Sequence, residues 1–272
     1  MRIAVCLSGQ SRTWKTAHKN ILRFFDYSKS NEDVQVDYFI HTWHNNSWRK
    51  KKAKQWNTWD VPADDVHEIS SVYNPKYFEV ETFNKEKFPY AWDGLFYSFM
   101  KSMHHKRLYE VKNNFKYDVV VKSRLDVIFQ PDTFFNFFNI KPLIAYTTTP
   151  ISKFPREFNG NNFSDVMFYG DSNTMDILGN TYRYSKLKYS ETHKQHIQAS
   201  GLIDYFSFYG PGVTLYEYMT QHGIYPTCND RYQYAVVRND CEGLDSIDDA
   251  DKIFKIGYEW YQLETGLELG GV

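Results

Sequence analysis

The stretch from Tyr117 to Phe129 reads YDVVVKSRLDVIF, and it restricts the possible folds of this chain more than any other. Three consecutive valines, Val119 to Val121, leave no polar face for solvent, so the strand they form must be covered on both sides. A strand of that kind lies in the middle of an α/β sheet flanked by helices. Directly after the valines come Lys122, Arg124 and Asp126. At a spacing of two, an extended chain projects all three to one side. Three charges at the end of an apolar strand cost on the order of several kcal/mol unless they are paired or meet a charged ligand. Ligands of open α/β sheets bind outside the carboxyl ends of the strands, which is where these residues fall. Two readings stay open: an Arg–Asp pair that pins neighbouring loops, or a diphosphate with a divalent cation. In the second, Asp126 holds the cation through hard oxygen while Lys122 or Arg124 neutralises phosphate.

The remaining pattern agrees with an α/β fold. Arg2 to Leu7 is a compact apolar run closed by the turn Ser8-Gly9-Gln10-Ser11, and a helical spacing of Trp14, Ala17, Ile21, Phe24 and Phe25 follows up to Tyr27. Together they predict an opening βα unit. Arg12 then stands at the carboxyl end of the first strand and near a helix N-terminus, a favourable place for phosphate. A second strand is expected at Val36 to Thr42 and a third at Val66 to Val72 or Tyr77 to Thr82. Trp92 to Val111 reads as a long helix with one buried stripe. Further on, the pattern predicts a short aromatic helix at Asp132 to Phe138 and strands at Leu143 to Thr148 and Ser164 to Tyr169. A helix at Asn173 to Leu178 is capped by Asp171 or Ser172, and another covers Gly212 to His222. Late strands are expected at Ile224 to Thr227 and Gln233 to Val237. The basic, Trp-dotted segment from Asn45 to Asp60 reads as a loop whose Arg49 to Lys52 run either meets phosphates or is a solvated face.

Composition narrows the function. With 32 basic against 33 acidic residues in 272, the net charge of −1 supplies no global field for nucleic acid or an anionic membrane. Any anionic ligand must be held locally. Aromatic residues make up 18% of the chain, which suits either a sugar- or base-stacking surface or an aromatic-rich core. Three cysteines without metal-ligand spacing, no signal-type apolar segment and no stretch of 18 apolar residues predict a cytoplasmic protein without a membrane span. There is no Gly-Lys-Ser/Thr phosphate loop and no Gly-X-Gly-X-X-Gly, which sets aside sulfotransferase, kinase and dinucleotide readings.

Several motifs, in order, resemble one family. The opening Ile3 to Arg12, the strand end Phe39-Ile40-His41-Thr42-Trp43, the helix Phe96 to Ser102, Tyr117-Asp118 to Arg124-Leu125-Asp126, and Asp165 to Gly170 are similar to GT-A-like glycosyltransferases. Such enzymes occur in bacterial surface-polysaccharide loci and in large phages and viruses. The resemblance spans roughly the first 170 residues. It implies a Rossmann-like nucleotide-diphospho-sugar transferase fold, a mostly parallel sheet flanked by helices. It also implies one catalytic domain over 1–272, with a nucleotide-binding half at 1–130, an acceptor half at 131–240 and a peripheral segment at 241–272.

By the same resemblance Ser8, Gly9, Gln10 and Arg12 line the nucleotide pocket, with Tyr97, Ser98 and Lys101 facing it from the long helix and Lys122 and Arg124 at the phosphates. Asp126 becomes the metal-binding carboxylate of an Asp-X-Asp motif whose first position is Arg124. The implied cofactor is Mn²⁺ or Mg²⁺, with weak or absent dependence because the arginine replaces part of the metal's charge. Asp165 and Glu217 are candidates for deprotonating the acceptor hydroxyl, and His41 and Trp43 for binding the acceptor. The expected partners are a nucleotide sugar and a hydroxyl-bearing acceptor, a nucleic acid being the less favoured one. A sugar nucleotidyltransferase or a non-catalytic carbohydrate-binding module are the alternatives.

Overall fold

The computed structural model describes residues 1–11, 13–26, 33–44, 63–84, 86–88, 91–130, 135, 140–147, 163–188, 190, 210–228 and 234–236. Its centre is a seven-stranded sheet of β1 (Arg2–Gly9), β2 (Gln35–Trp43), β3 (Tyr77–Glu81), β4 (Val119–Ser123), β6 (Ile144–Thr147), β7 (Phe168–Gly170) and β8 (Tyr225–Cys228). The spatial order is β3-β2-β1-β4-β7-β6-β8, and only β7 runs against its neighbours. A separate pair joins β5 (Val127–Phe129) to β9 (Tyr234–Val236). The chain is therefore an α/β protein with a mixed, mostly parallel sheet flanked by helices.

Two apolar layers cover the sheet, as the valine run requires. Ile3, Val5 and Leu7 of β1 and Val119 and Val121 of β4 meet α1 (Trp14–Asp26) and α2 (Ala63–Tyr73). On the opposite face Ala4, Cys6 and Val120 meet α3 (Ala91–Asn113), α4 (Ser172–Leu178) and α6 (Pro211–Gln221). The aromatic surplus goes largely into these layers: Phe24 stacks on Phe129 with ring centroids 3.8 Å apart, and Phe25 meets Phe24, Phe129 and Phe135 edge-on. Cys6 is a buried free thiol, pushed up to about 12 mainly by burial.

Several sequence expectations need correction. Val66 to Val72 is helical, because Val66, Ile69 and Tyr73 are buried at helical spacing, and the third strand is β3. Strand β4 stops at Ser123, and the chain turns through 124–126 before β5. Lys122, Arg124 and Asp126 thus do not line one face of a single strand. Of the expected Ser164–Tyr169 strand only Phe168 and Tyr169 are in the sheet, where β7 runs on to Gly170. Helix α5 (Thr181–Lys188) was not anticipated. Asp171 caps α4, accepting from the N–H groups of Asn173 and Thr174. The Asn45–Asp60 loop and the 241–272 segment lie outside the described residues, as does the 132–138 helix apart from Phe135.

Candidate functional site

The sheet has its topological switch point between β1 and β4. From β1 the chain continues to β2 and β3 on one side, while β4 lies on the other, so the carboxyl ends of β1 and β4 flank a crevice. Gly9 closes β1 with φ +114, a conformation an L side chain rarely adopts. Its N–H donates to Ser98 Oγ of α3 at 2.7 Å, and its carbonyl accepts from Thr42 Oγ1 at 2.9 Å. The turn is thereby tied to both α3 and β2. Around it, Ser8, Ser11 and Ser123 are buried with hydroxyls that have no partner among the described residues. Each such hydroxyl costs roughly 1–3 kcal/mol if left unmet. All three lie near the carboxyl ends of two adjacent strands, Ser8 on the α3 face with Ala4 and Cys6 and Ser123 on the α1 face with Val119 and Val121. Gln10 is partly buried beside them, and Arg12 lies outside the described residues.

The charged residues after β4 divide into two units. Lys122 is fully buried and donates to the carbonyls of Asp165 and Val166, at 3.2 Å for the latter. Burial pulls its ammonium down to about 7, with nearby Asp165 working against that shift and Arg124 for it. Its work is to hold the 163–167 segment, and with it the partly buried Asp165, beside the end of β4. Arg124 instead turns onto Asp126: Nε and Nη2 donate to the two carboxylate oxygens at 2.7 and 2.6 Å. Asp126 is wholly buried, whereas 16% of the Arg124 side chain stays open to solvent. A divalent ion here would displace two charge-assisted bonds and sit against a guanidinium. Among the described residues, the cation that Asp126 holds is Arg124, and the metal-capable group lies elsewhere.

The predicted α3 residues gather at the other side of the turn. Besides Gly9, Ser98 contacts His41: its hydroxyl donates to the His41 carbonyl at 3.0 Å and lies 2.8 Å from Nδ1. Tyr97 donates to Glu81 at 3.0 Å, and Lys101 pairs with Glu79 at 2.7 Å and Glu81 at 3.2 Å. His105 is 2.5 Å from Glu79 and stacks on Tyr77. Burial opposes the charge on Lys101, but its bonds to Glu79 and Glu81 outweigh that and raise it. Glu81 is held down at about 2, chiefly by His41. His41, Glu79 and Glu81 have ligand atoms within 4.8 Å of one another, the one such metal-capable group among the described residues. The two glutamates escaped the sequence reading. The alternation Tyr77, Glu79, Glu81 on one strand face was their only signal, and it acquires meaning once β3 pairs with β2.

Two other candidates sit elsewhere. Trp43 is buried among Phe83, Phe88 and Tyr97, in ring contact with all three, so it belongs to the core. Glu217 accepts from Lys188 at 2.6 Å and Tyr184 at 3.1 Å, a clasp between α5 and α6. None of these bonds joins Glu217 to the β1–β4 crevice. No protein-family model matches the chain, and comparison with curated proteins found no relative. No described helix is long and apolar enough to cross a membrane.

Proposed function

We propose that the chain is a glycosyltransferase of the GT-A type, moving a sugar from a nucleotide donor to a hydroxyl acceptor at the crevice between β1 and β4. The observation that carries the reading is the switch-point crevice itself, where the buried hydroxyls of Ser8, Ser11 and Ser123, without partners among the described residues, and the Arg124–Asp126 pair share one sheet end. A polar, anionic ligand at a switch point meets both needs: hydroxyls for ribose and base, and a guanidinium for diphosphate. The burial of Trp43 and of the Phe24 cluster weighs against a lectin that works through exposed rings.

In the transfer, the acceptor oxygen bonds to the anomeric carbon as the bond from that carbon to the diphosphate oxygen breaks. The departing diphosphate gains negative charge, which Arg124 stabilises without a metal. The acceptor's proton passes to a carboxylate. Asp165 is the carboxylate we assign to it, and Lys122, bonded to the Asp165 carbonyl, keeps its backbone beside the strand end.

The test is a thermal-stability screen of the purified chain with nucleoside diphosphates and nucleotide sugars, in EDTA and in Mn²⁺. One nucleotide at about a hundred times its Kd should raise stability by about 2.7 kcal/mol, equally in EDTA and Mn²⁺, and the rise should be lost in Arg124→Ala. With that nucleotide sugar and a hydroxyl acceptor, free nucleoside diphosphate should appear. The absence of a shift with any nucleotide would overturn the reading.

A further inference from the structure

The His41–Glu79–Glu81 group lies apart from the Arg124–Asp126 pair and has no part in the transfer outlined above. Strand register builds it. His41 and Glu79 are direct partners in the parallel β2–β3 ladder, and Glu81 lies one pleat further along the same face of β3. All three therefore face α3.

The imidazole is held in one orientation. Ser98 Oγ accepts from the Gly9 N–H, lies 3.0 Å from the His41 carbonyl and 2.8 Å from His41 Nδ1, and so fixes the ring beside α3. The ring directs Nε2 at Glu81 Oε1, 3.4 Å away. A proton on Nε2 bridges that gap as a hydrogen bond, and a metal ion that replaces the proton is held by the same two atoms. A histidine whose other ring nitrogen is bonded to a fixed neighbour is the arrangement metal ligands use. The spacing agrees: with zinc–nitrogen and zinc–oxygen bonds of about 2.0–2.2 Å, two tetrahedral ligands lie about 3.3–3.5 Å apart.

His41 is wholly buried, a rigid anchor, while the glutamate side chains are 23% and 25% exposed and free to adjust. The ammonium of Lys101, itself 23% exposed, bridges the two carboxylates. It lies on a side chain that can swing to solvent.

We propose that His41, Glu79 and Glu81 form a site for a divalent transition metal of borderline hardness, such as Zn²⁺, and that Lys101 is the resident counter-cation the metal displaces. One imidazole and two carboxylates suit zinc and leave a fourth position for water. Through Ser98 the site is joined to the Gly9 turn. Its binding does not depend on the nucleotide reading.

The experiment is calorimetric titration of Zn²⁺ into the metal-stripped full chain without nucleotide, with the Co²⁺ absorption spectrum as a geometric readout. The wild-type chain should take up one ion at this site with a tetrahedral Co²⁺ signature. Glu79→Gln and Glu81→Gln should weaken binding at least tenfold, and Lys101→Met, which removes the competing charge, should tighten it at least tenfold. The glutamine variants keep side-chain volume, and their melting temperatures in EDTA report whether they fold. Uptake of no ion by the wild-type chain, binding unchanged by both glutamine variants, or no gain in Lys101→Met would each overturn the assignment.

Discussion

Lys122 shows how one side chain can change meaning between sequence and structure. As text it is a cation at a strand end; folded, its Nζ is buried against two carbonyls and pulled down to about 7. An unfolded lysine titrates at about 10.4. Between those values the unfolded chain binds a proton that the folded chain lacks, so this group's contribution to stability rises as pH climbs from about 7 to about 10. Below pH 7 both states are charged and the cost is constant. Urea unfolding of the wild type and Lys122→Met across that range should show wild-type stability rising relative to the variant, on the order of a few kcal/mol in total. A flat difference would mean that the ammonium reaches solvent. The pairing of Arg124 with Asp126 was one of the readings the residues allowed. That Lys122 would leave the pair was not legible, because it depends on the turn at 124–126.

At the scale of elements, polar clamps join pieces that apolar packing alone would leave free to slide. Asn20 of α1 holds β5 with both ends of its amide: Nδ2 donates to the Phe129 carbonyl at 2.9 Å, and Oδ1 accepts from the Phe129 N–H at 2.8 Å. Asn20→Ala leaves two buried backbone groups unmet. It should cost about 2–4 kcal/mol by denaturant unfolding, far above the change expected from trimming an exposed asparagine. A second clamp ties α3 to α4: Lys106, buried, donates to Glu110 at 3.0 Å, Ser172 at 2.7 Å and Asp176 at 2.7 Å. Burial works against ionising Glu110, yet Ser172, Lys106 and the Tyr117 N–H keep its carboxyl below the usual range. Lys106→Met removes one side of a buried pair and should cost about 3–5 kcal/mol, read from the denaturation midpoint.

These clamps also mark the limit of sequence reading. Periodicity located α1, α3, α6, β1 and β2 within two residues or so of their ends, because the buried stripe or continuous run is local information. Helix α5 was missed because TYRYSKLK carries little apolar pattern; it is held by Thr181, Ser185 and Lys188, which are buried against neighbours far along the chain. Asn20, Lys106 and the Glu79–Glu81 pair look like surface residues in the text for the same reason. For the candidate site, Gly9, Ser98 and His41 do come together at the turn, while the roles of Trp43 and Glu217 depended on packing no local pattern shows.

For the whole molecule, the arrangement of the sheet has a consequence for how the protein is made. Strand β1 begins at Arg2, yet its second neighbour is β4, and the Arg2 N–H reaches the carboxylate of Asp118, 116 residues away. At typical synthesis rates β1 spends on the order of ten seconds outside the ribosome before β4 exists. During that time it has β2 on one side and an open row of backbone donors and acceptors on the other, flanked by Ile3, Val5 and Leu7. An open apolar edge of that kind invites pairing with another chain. A nascent chain of this topology has to be shielded until Val119–Ser123 arrives, so its yield in a cell is set by the waiting time of its first strand as well as by the stability of the finished fold.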